Sequence, residues 1–163
     1  SRGSVIPHFI KQIQSNHPIT LTSDKMTRFF VSLTEVKNFI MNSIIRMKGN
    51  EIFIPRYMSS FRLIDLAEAL AEHFKSKGFN PSIEVIGVRP GETYYERLLT
   101  DDEASRATLN DKMYVLNYKL DKNSQDTSSK NIKSLQNTLR SDLTPILSKN
   151  QIIKKLISYG ILS

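Results

Sequence analysis

Residues 63–92 read LIDLAEALAEHFKSKGFNPSIEVIGVRPGE, and this stretch decides the fold class. Leu63, Leu66, Ala67, Leu70, Ala71 and Phe74 recur at i, i+3, i+4, i+7, i+8 and i+11, which is the buried stripe of one amphipathic helix. Gly78 supplies the stop, because a residue without a Cβ takes the left-handed conformation that closes a helix. Ser82–Ile86 then has the β-branched apolar content of a strand, and Arg89-Pro90-Gly91-Glu92 is a turn. Helix, stop, strand and turn in immediate succession are the unit from which an α/β fold is assembled. From Glu92 to Leu99 the pattern returns to a helical one.

The flanks continue the alternation. Val5, Ile6, Phe9, Ile10 and Ile13 fall at helical spacing, with Pro7 tolerated in the first turn. Ile19–Thr22 and Arg28–Val31 are short strands. Ser32 and Glu35 form a capping box that opens a helix carrying Leu33, Val36, Ile40 and Ile44 on one face, with Gly49 closing it. Glu51–Ile54 and Met113–Leu116 are further strands. Residues 120–133 hold almost nothing apolar, and a second capping box at Ser148 and Gln151 starts a short helix with Ile152, Ile153, Leu156 and Ile157 inward. The expected organisation is a lobe over residues 1–119, a polar and flexible linker over 120–147, and a C-terminal amphipathic helix over 148–163.

Composition narrows the function. The chain has no cysteine, which excludes disulfides, thiolate nucleophiles and sulfur-ligated zinc. No apolar run reaches the length of a membrane span, so the expectation is a cytoplasmic protein with no membrane partner. Of the formal charge of +7, more than half falls in the last quarter of the chain, from residue 121 onward. A nucleic-acid binder would instead gather basic residues on one folded face, so nucleic acid is not an expected partner. His8, His17 and His73 stand alone and read as surface or half-buried helix residues. Tyr118 and Lys122 have a Tyr-x-x-x-Lys spacing, but on a strand exit where one helix face cannot present both. No glycine-rich dinucleotide or ATP loop is present. On this basis no residue of the chain is expected to be catalytic and none to bind a cofactor or metal.

Two arginines sit in settings that suit a ligand. Arg28 interrupts the apolar strand Met26-Thr27-Arg28-Phe29-Phe30. Arg89 precedes Pro90-Gly91, which fixes one bond and lets a group approach closely. Two guanidiniums offer planar forks of donors to a diphosphate, and Glu92 can accept from a diol. The chemistry alone equally allows Arg28 to pair with a surface carboxylate and Arg89 with Glu92 in a turn salt bridge.

Several of these segments occur together in a known order. Arg2-Gly3-Ser4-Val5-Ile6-Pro7, Ile19-Thr20-Leu21-Thr22, Met26-Thr27-Arg28-Phe29, Glu51–Pro55, Asp65–Leu70, Gly87–Glu92 and Asp102-Glu103 resemble the C-terminal half of the inverting UDP-N-acetylglucosamine 4,6-dehydratases and their polysaccharide-biosynthesis relatives. The likeness covers residues 1 to about 117 and resumes weakly at 147–156. The resemblance implies the substrate-binding lobe of an extended short-chain dehydrogenase/reductase, an α/β fold whose N-terminal Rossmann domain, with its NADP loop and its Tyr-x-x-x-Lys, is not in this sequence. It implies a UDP-sugar ligand, NADP for the whole enzyme only, the Rossmann domain as partner, homo-oligomers, and no activity for the chain by itself. Residue by residue it implies Arg28 and Arg89 at the diphosphate, Glu92 at the ribose, Thr20 at the base, and Arg2 and Val5 along the pocket. Thr93 departs from the family pattern, which places Lys or another long residue there. A related epimerase, or a non-enzymatic remnant or basic interaction module, are the alternatives.

Overall fold

A computed structural model of the chain describes residues 4–110, 113–117 and 139–163. The described elements are α1 (Val5–Gln14), β1 (Ile19–Leu21), β2 (Thr27–Phe30), α2 (Leu33–Arg46), β3 (Glu51–Pro55) and β4 (Ser59–Arg62). They continue with α3 (Leu63–Lys75), β5 (Ile83–Val85), α4 (Asp101–Arg106), β6 (Thr108–Asn110), β7 (Met113–Asn117) and α5 (Lys149–Ser158). The fold is mixed α/β. Its strands form a parallel pair β1-β5, a pair β2-β4, and a three-stranded sheet in the order β3-β7-β6.

Contacts divide the chain into two compact units that interleave in sequence. One takes Ser1–Arg28, Ser60–Tyr95 and Ile146–Ser163, the other Phe29–Ser59 and Glu96–Pro145. The sequential division into a lobe, a linker and a terminal helix is therefore not the division that packing makes.

In the first unit α3 packs against α1, α5 and β1. Phe9, Ile13, Ile19, Leu21, Leu66, Leu70, Ile152 and Leu156 are all essentially inaccessible. Each such side chain contributes about 1.5–3 kcal/mol relative to exposure, so three short helices and β1 hold together through this shared core. The i, i+3, i+4 stripe of α3 performs as its spacing predicts, with Leu63, Leu66, Ala67, Leu70 and Phe74 buried. Lys149 of α5 adds an ion pair to Glu68 of α3 at 2.7 Å.

In the second unit β3 and β7 run antiparallel, with Phe53 opposite Val115 and Ile54 opposite Tyr114. Ile54, Leu99, Ala104, Tyr114, Leu116 and Leu139 form its core. Leu139 corrects the linker expectation for the described residues 139–147. Leu139, Ser141 and Thr144 are buried in this unit, and Leu147, which belongs to the first unit, is buried there with its N–H donating to Ser60 O at 2.8 Å. The stretch carries Leu139, Leu143, Ile146 and Leu147 and lies beyond the apolar-poor run 120–133, and Ser141 is used inside, its hydroxyl accepting from Glu96 N–H at 2.9 Å. The linker expectation for residues 120–138 lies outside the described residues, as does the Tyr118 and Lys122 pair.

Both expected capping boxes are formed. Ser32 Oγ accepts from Glu35 N–H at 3.1 Å, and Ser148 Oγ from Gln151 N–H at 3.4 Å. A third, at Thr100 and Glu103, starts α4, which the sequence reading did not place. On α2 no residue is buried among the described surroundings, so the face carrying Leu33, Ile40 and Ile44 is present but uncovered by them. Residues 92–99, expected as a helix, form none. Their main-chain groups are committed sideways instead, since Tyr94 O accepts from Thr27 N–H at 2.8 Å.

Candidate functional site

The parallel pairing of β1 with β5 builds the site. Ile19, Thr20 and Leu21 stand opposite Ile83, Glu84 and Val85, so the two strands end together. Ligands of open α/β sheets bind beyond the carboxyl ends of parallel strands, because the loops leaving those ends converge there. Here the loops are 22–26, running into β2, and 86–92, carrying the Arg-Pro-Gly-Glu turn. The link between β5 and this turn contains Gly87 at φ +90°, and the turn itself has Gly91 at φ +87°, conformations that a side chain would strain.

Arg28 is half-buried on β2, and its guanidinium is held by main-chain carbonyls. Nη1 donates to Thr27 O at 2.7 Å and to Tyr94 O at 3.5 Å, and Nη2 donates to Thr93 O at 3.1 Å. Met26 Sδ lies 3.6 Å from Nη2 and also accepts from Thr22 Oγ1 at 3.2 Å. Carbonyls fix the orientation of a guanidinium through its N–H donors. Thr93, the position that departs from the family pattern, thus contributes its backbone.

The Arg-Pro-Gly-Glu turn is closed on itself. Glu92 N–H donates to Arg89 O at 3.1 Å, and the Glu92 carboxylate accepts from Arg89 N–H at 3.1 Å. The turn salt bridge that chemistry alone allowed is therefore replaced by a bond to the backbone. Arg89 is exposed, and among the described residues its guanidinium has no hydrogen-bond or ion-pair partner. Arg28 is joined to Thr93, immediately after Glu92, which brings it to the end of the segment that holds Arg89 and Glu92.

Thr20 is engaged by a residue that sequence reading missed. Gln12 Nε2 donates to Thr20 Oγ1 at 2.8 Å, and Thr20 N–H donates to Gln12 Oε1 at 3.3 Å. Gln12 lies on the partly polar side of α1, where a single glutamine carries no signal of its own. Val5 opens α1 about two turns before Gln12 and is half-buried. Arg2 lies outside the described residues. Among the described residues no group of acidic and histidine side chains is arranged to hold a metal, and no helix is long and apolar enough to cross a membrane.

Comparison with known proteins decides the family. The model of the family described as polysaccharide biosynthesis protein matches residues 1–118. The chain belongs to the polysaccharide biosynthesis protein family. Within it, an uncharacterized membrane protein of Methanocaldococcus jannaschii is 38% identical over 166 residues, covering 98% of this chain and 47% of its own length. The inverting UDP-N-acetylglucosamine 4,6-dehydratase of Campylobacter jejuni is 38% identical over 105 residues, 64% of this chain and 29% of that enzyme. A UDP-glucose 4-epimerase of Rickettsia canadensis is 37% identical over 107 residues, 66% of this chain and 30% of that enzyme.

Among solved structures, Pen from Bacillus thuringiensis superposes with a TM-score of 0.80 at 33% identity, covering all of this chain and 47% of that one. The chain thus spans less than half the length of the curated family members it matches. The resemblance read from the short motifs is the family that these comparisons return. The relative from Methanocaldococcus jannaschii and Pen cover 98% and 100% of this chain, including 147–156, where the likeness of the motifs resumes weakly.

Proposed function

We propose that this chain forms the nucleotide-sugar-binding part of a 4,6-dehydratase acting on a UDP-linked N-acetylhexosamine in surface-glycan precursor synthesis. The observation that carries this reading is the junction of Arg28 with Thr93, which links the segment that follows β1 to the segment that follows β5. In it, Arg28 and Arg89 hold the diphosphate, Glu92 accepts from the ribose hydroxyls, and Thr20 meets the base. Arg2 and Val5 border the pocket.

The division of labour follows from how each group is held. Arg28 is a pre-oriented cation, so it loses little conformational freedom when an anion arrives. Arg89 is exposed on a tight turn and closes from the other loop. Glu92 receives Arg89 N–H through its carboxylate and is acceptor-only when ionised, so a diol is the ligand group it suits.

NADP, which the whole enzyme of this family would use, finds no fitting place among the described residues. The glycine-bearing turn after β5 does not lead into a helix, because 92–99 are non-helical. A dinucleotide pyrophosphate needs a helix N-terminus at that point. In this reading the cofactor, the hydride chemistry and the catalytic acid and base belong to a Rossmann partner, and this chain contributes substrate binding. Cytoplasmic location and homo-oligomeric assembly belong to the same reading.

Calorimetry of the 163-residue chain with UDP tests the proposal. Binding that weakens strongly in Arg89→Ala is expected. No UDP binding by a chain with a cooperative thermal transition would refute it. The second reading, a UDP-sugar 4-epimerase, is favoured by the 37% identity to the Rickettsia enzyme. It uses the same binding groups, and turnover of UDP-N-acetylglucosamine against UDP-glucose by the chain joined to its Rossmann partner separates the two.

A further inference from the structure

We propose that Gln12 is a positioning residue that fixes the hydrogen-bond polarity of Thr20 and so selects a uracil-type over a cytosine-type base. This rests on the reading that the base lies at Thr20.

The geometry of β1 supplies the first step. Ile19 N–H donates to Ser82 O at 2.8 Å, and Leu21 O accepts from Ile86 N–H at 2.7 Å, so both residues turn their main chain toward β5. Alternation along a strand then turns the N–H and C=O of Thr20 to the opposite edge. On that edge Gln12 Oε1 accepts the Thr20 N–H at 3.3 Å.

The second step is a constraint of donor type. A main-chain N–H can only donate, so the amide atom facing it is the oxygen, and the amide nitrogen faces Thr20 Oγ1 at 2.8 Å. That nitrogen can only donate, so Oγ1 must accept. The hydroxyl proton is consequently directed away from Gln12. What the edge then offers a ligand is Thr20 C=O as acceptor and Thr20 O–H as donor, in fixed positions. A uracil ring presents the N3–H donor beside the O4 acceptor; cytosine keeps the acceptor O2 but exchanges these two, with N3 accepting and the C4 amino group donating. The neighbouring Phe9 and Ile13, both buried, anchor α1 and keep the amide in place.

Gln12→Glu tests this with almost no change of shape. An ionised carboxylate only accepts, so it keeps the Thr20 N–H but draws the hydroxyl proton to itself and turns Oγ1 outward as an acceptor. UDP and CDP affinities are measured by calorimetry for the wild-type chain, Gln12→Glu, Gln12→Met and Thr20→Val, each checked for a cooperative thermal transition. The expected result is a drop of about tenfold in the UDP-over-CDP preference in each variant, the size of one lost hydrogen bond. The Gln12→Glu/Thr20→Val double variant should fall no further, because both changes remove the same donor. A merely structural glutamine would weaken both nucleotides equally and leave the preference unchanged, which overturns the inference while the proposed function, tested by the wild-type chain, stands. A wild-type chain that binds no UDP overturns the proposed function and this inference with it.

Discussion

The guanidinium of Arg28 reaches the carbonyl oxygen of Thr93, with Nη2 and O 3.1 Å apart, across 65 residues of sequence. One side chain therefore ties β2 to the segment following the Arg-Pro-Gly-Glu turn, so under the proposed function its loss is expected to act on structure and on ligand together. Arg28→Ala is expected to weaken UDP binding about 10- to 100-fold, the range of one charge-assisted hydrogen bond. It should also lower stability by about 1 kcal/mol. Arg28→Lys should recover little, because a point charge cannot reach the Thr27, Thr93 and Tyr94 carbonyls at once. Calorimetry and denaturant titration on the same samples measure both effects.

Arg89 provides the contrast. Its side chain is exposed, so Arg89→Ala should leave unfolding free energy within about 0.5 kcal/mol of the parent. UDP affinity should nonetheless fall about tenfold or more. A variant that loses stability and affinity in parallel would show the arginine to be structural.

Leu139 tests the packing of a stretch expected to belong to the linker. It is 2% exposed, within the cluster of Ile54, Leu99, Tyr114 and Leu116. Leu139→Ala should destabilise the chain by about 2–5 kcal/mol through lost burial and the cavity left behind. Ile146→Ala nearby, at a residue 45% exposed, should cost far less. Equal costs, read from urea unfolding, would place Leu139 outside a core.

Glu103 gives a pH signature for α4. Thr100 N–H and the Thr100 hydroxyl both donate to its carboxylate, at 2.8 and 2.9 Å, and they hold its pKa below the ordinary glutamate value. Because the folded-state value is depressed, the capping box is fully effective above the ordinary glutamate range and is lost as pH falls through the depressed value. Carbon-detected NMR titration of Glu103 should show the low value, and Thr100→Val should move it upward. An unchanged titration in the variant would remove the hydroxyl from the account.

Lys149 acts in the opposite sense. Its hydrogen bond to Glu68 raises its pKa, with Glu72 adding to the effect. The tie between α5 and α3 is thus complete below the ordinary lysine range and disappears as pH rises through the raised value. Weakened protection of α5 amides at strongly alkaline pH, absent in Lys149→Met, is the expected observation.

Local chemistry was legible wherever one residue type has one physical use. The stripe of α3, the capping boxes at Ser32 and Ser148, and the β-branched runs at 19–21 and 83–85 each became the element that their spacing predicts. The segment 92–99 was misread because an alternation of polar and apolar residues is silent about whether main-chain groups bond along the chain or across it. Arg28 and Thr27 take the carbonyls of Thr93 and Tyr94, and no local pattern announces a partner 65 residues away. Gln12 was invisible for the same reason, since its value lies in meeting Thr20 and not in its own neighbourhood.

By itself, then, the order of amino acids determined the α/β class, the ends of most helices and the family, because periodicity, caps and short motifs are properties of neighbours in the chain. Only the folded molecule decided that β1 and β5 finish side by side, that Arg28 is oriented by distant carbonyls, and that Leu139, Ser141, Thr144 and Leu147 are buried. Those facts depend on which backbone donors and acceptors find each other once water is excluded, and that choice is made between segments, not within them.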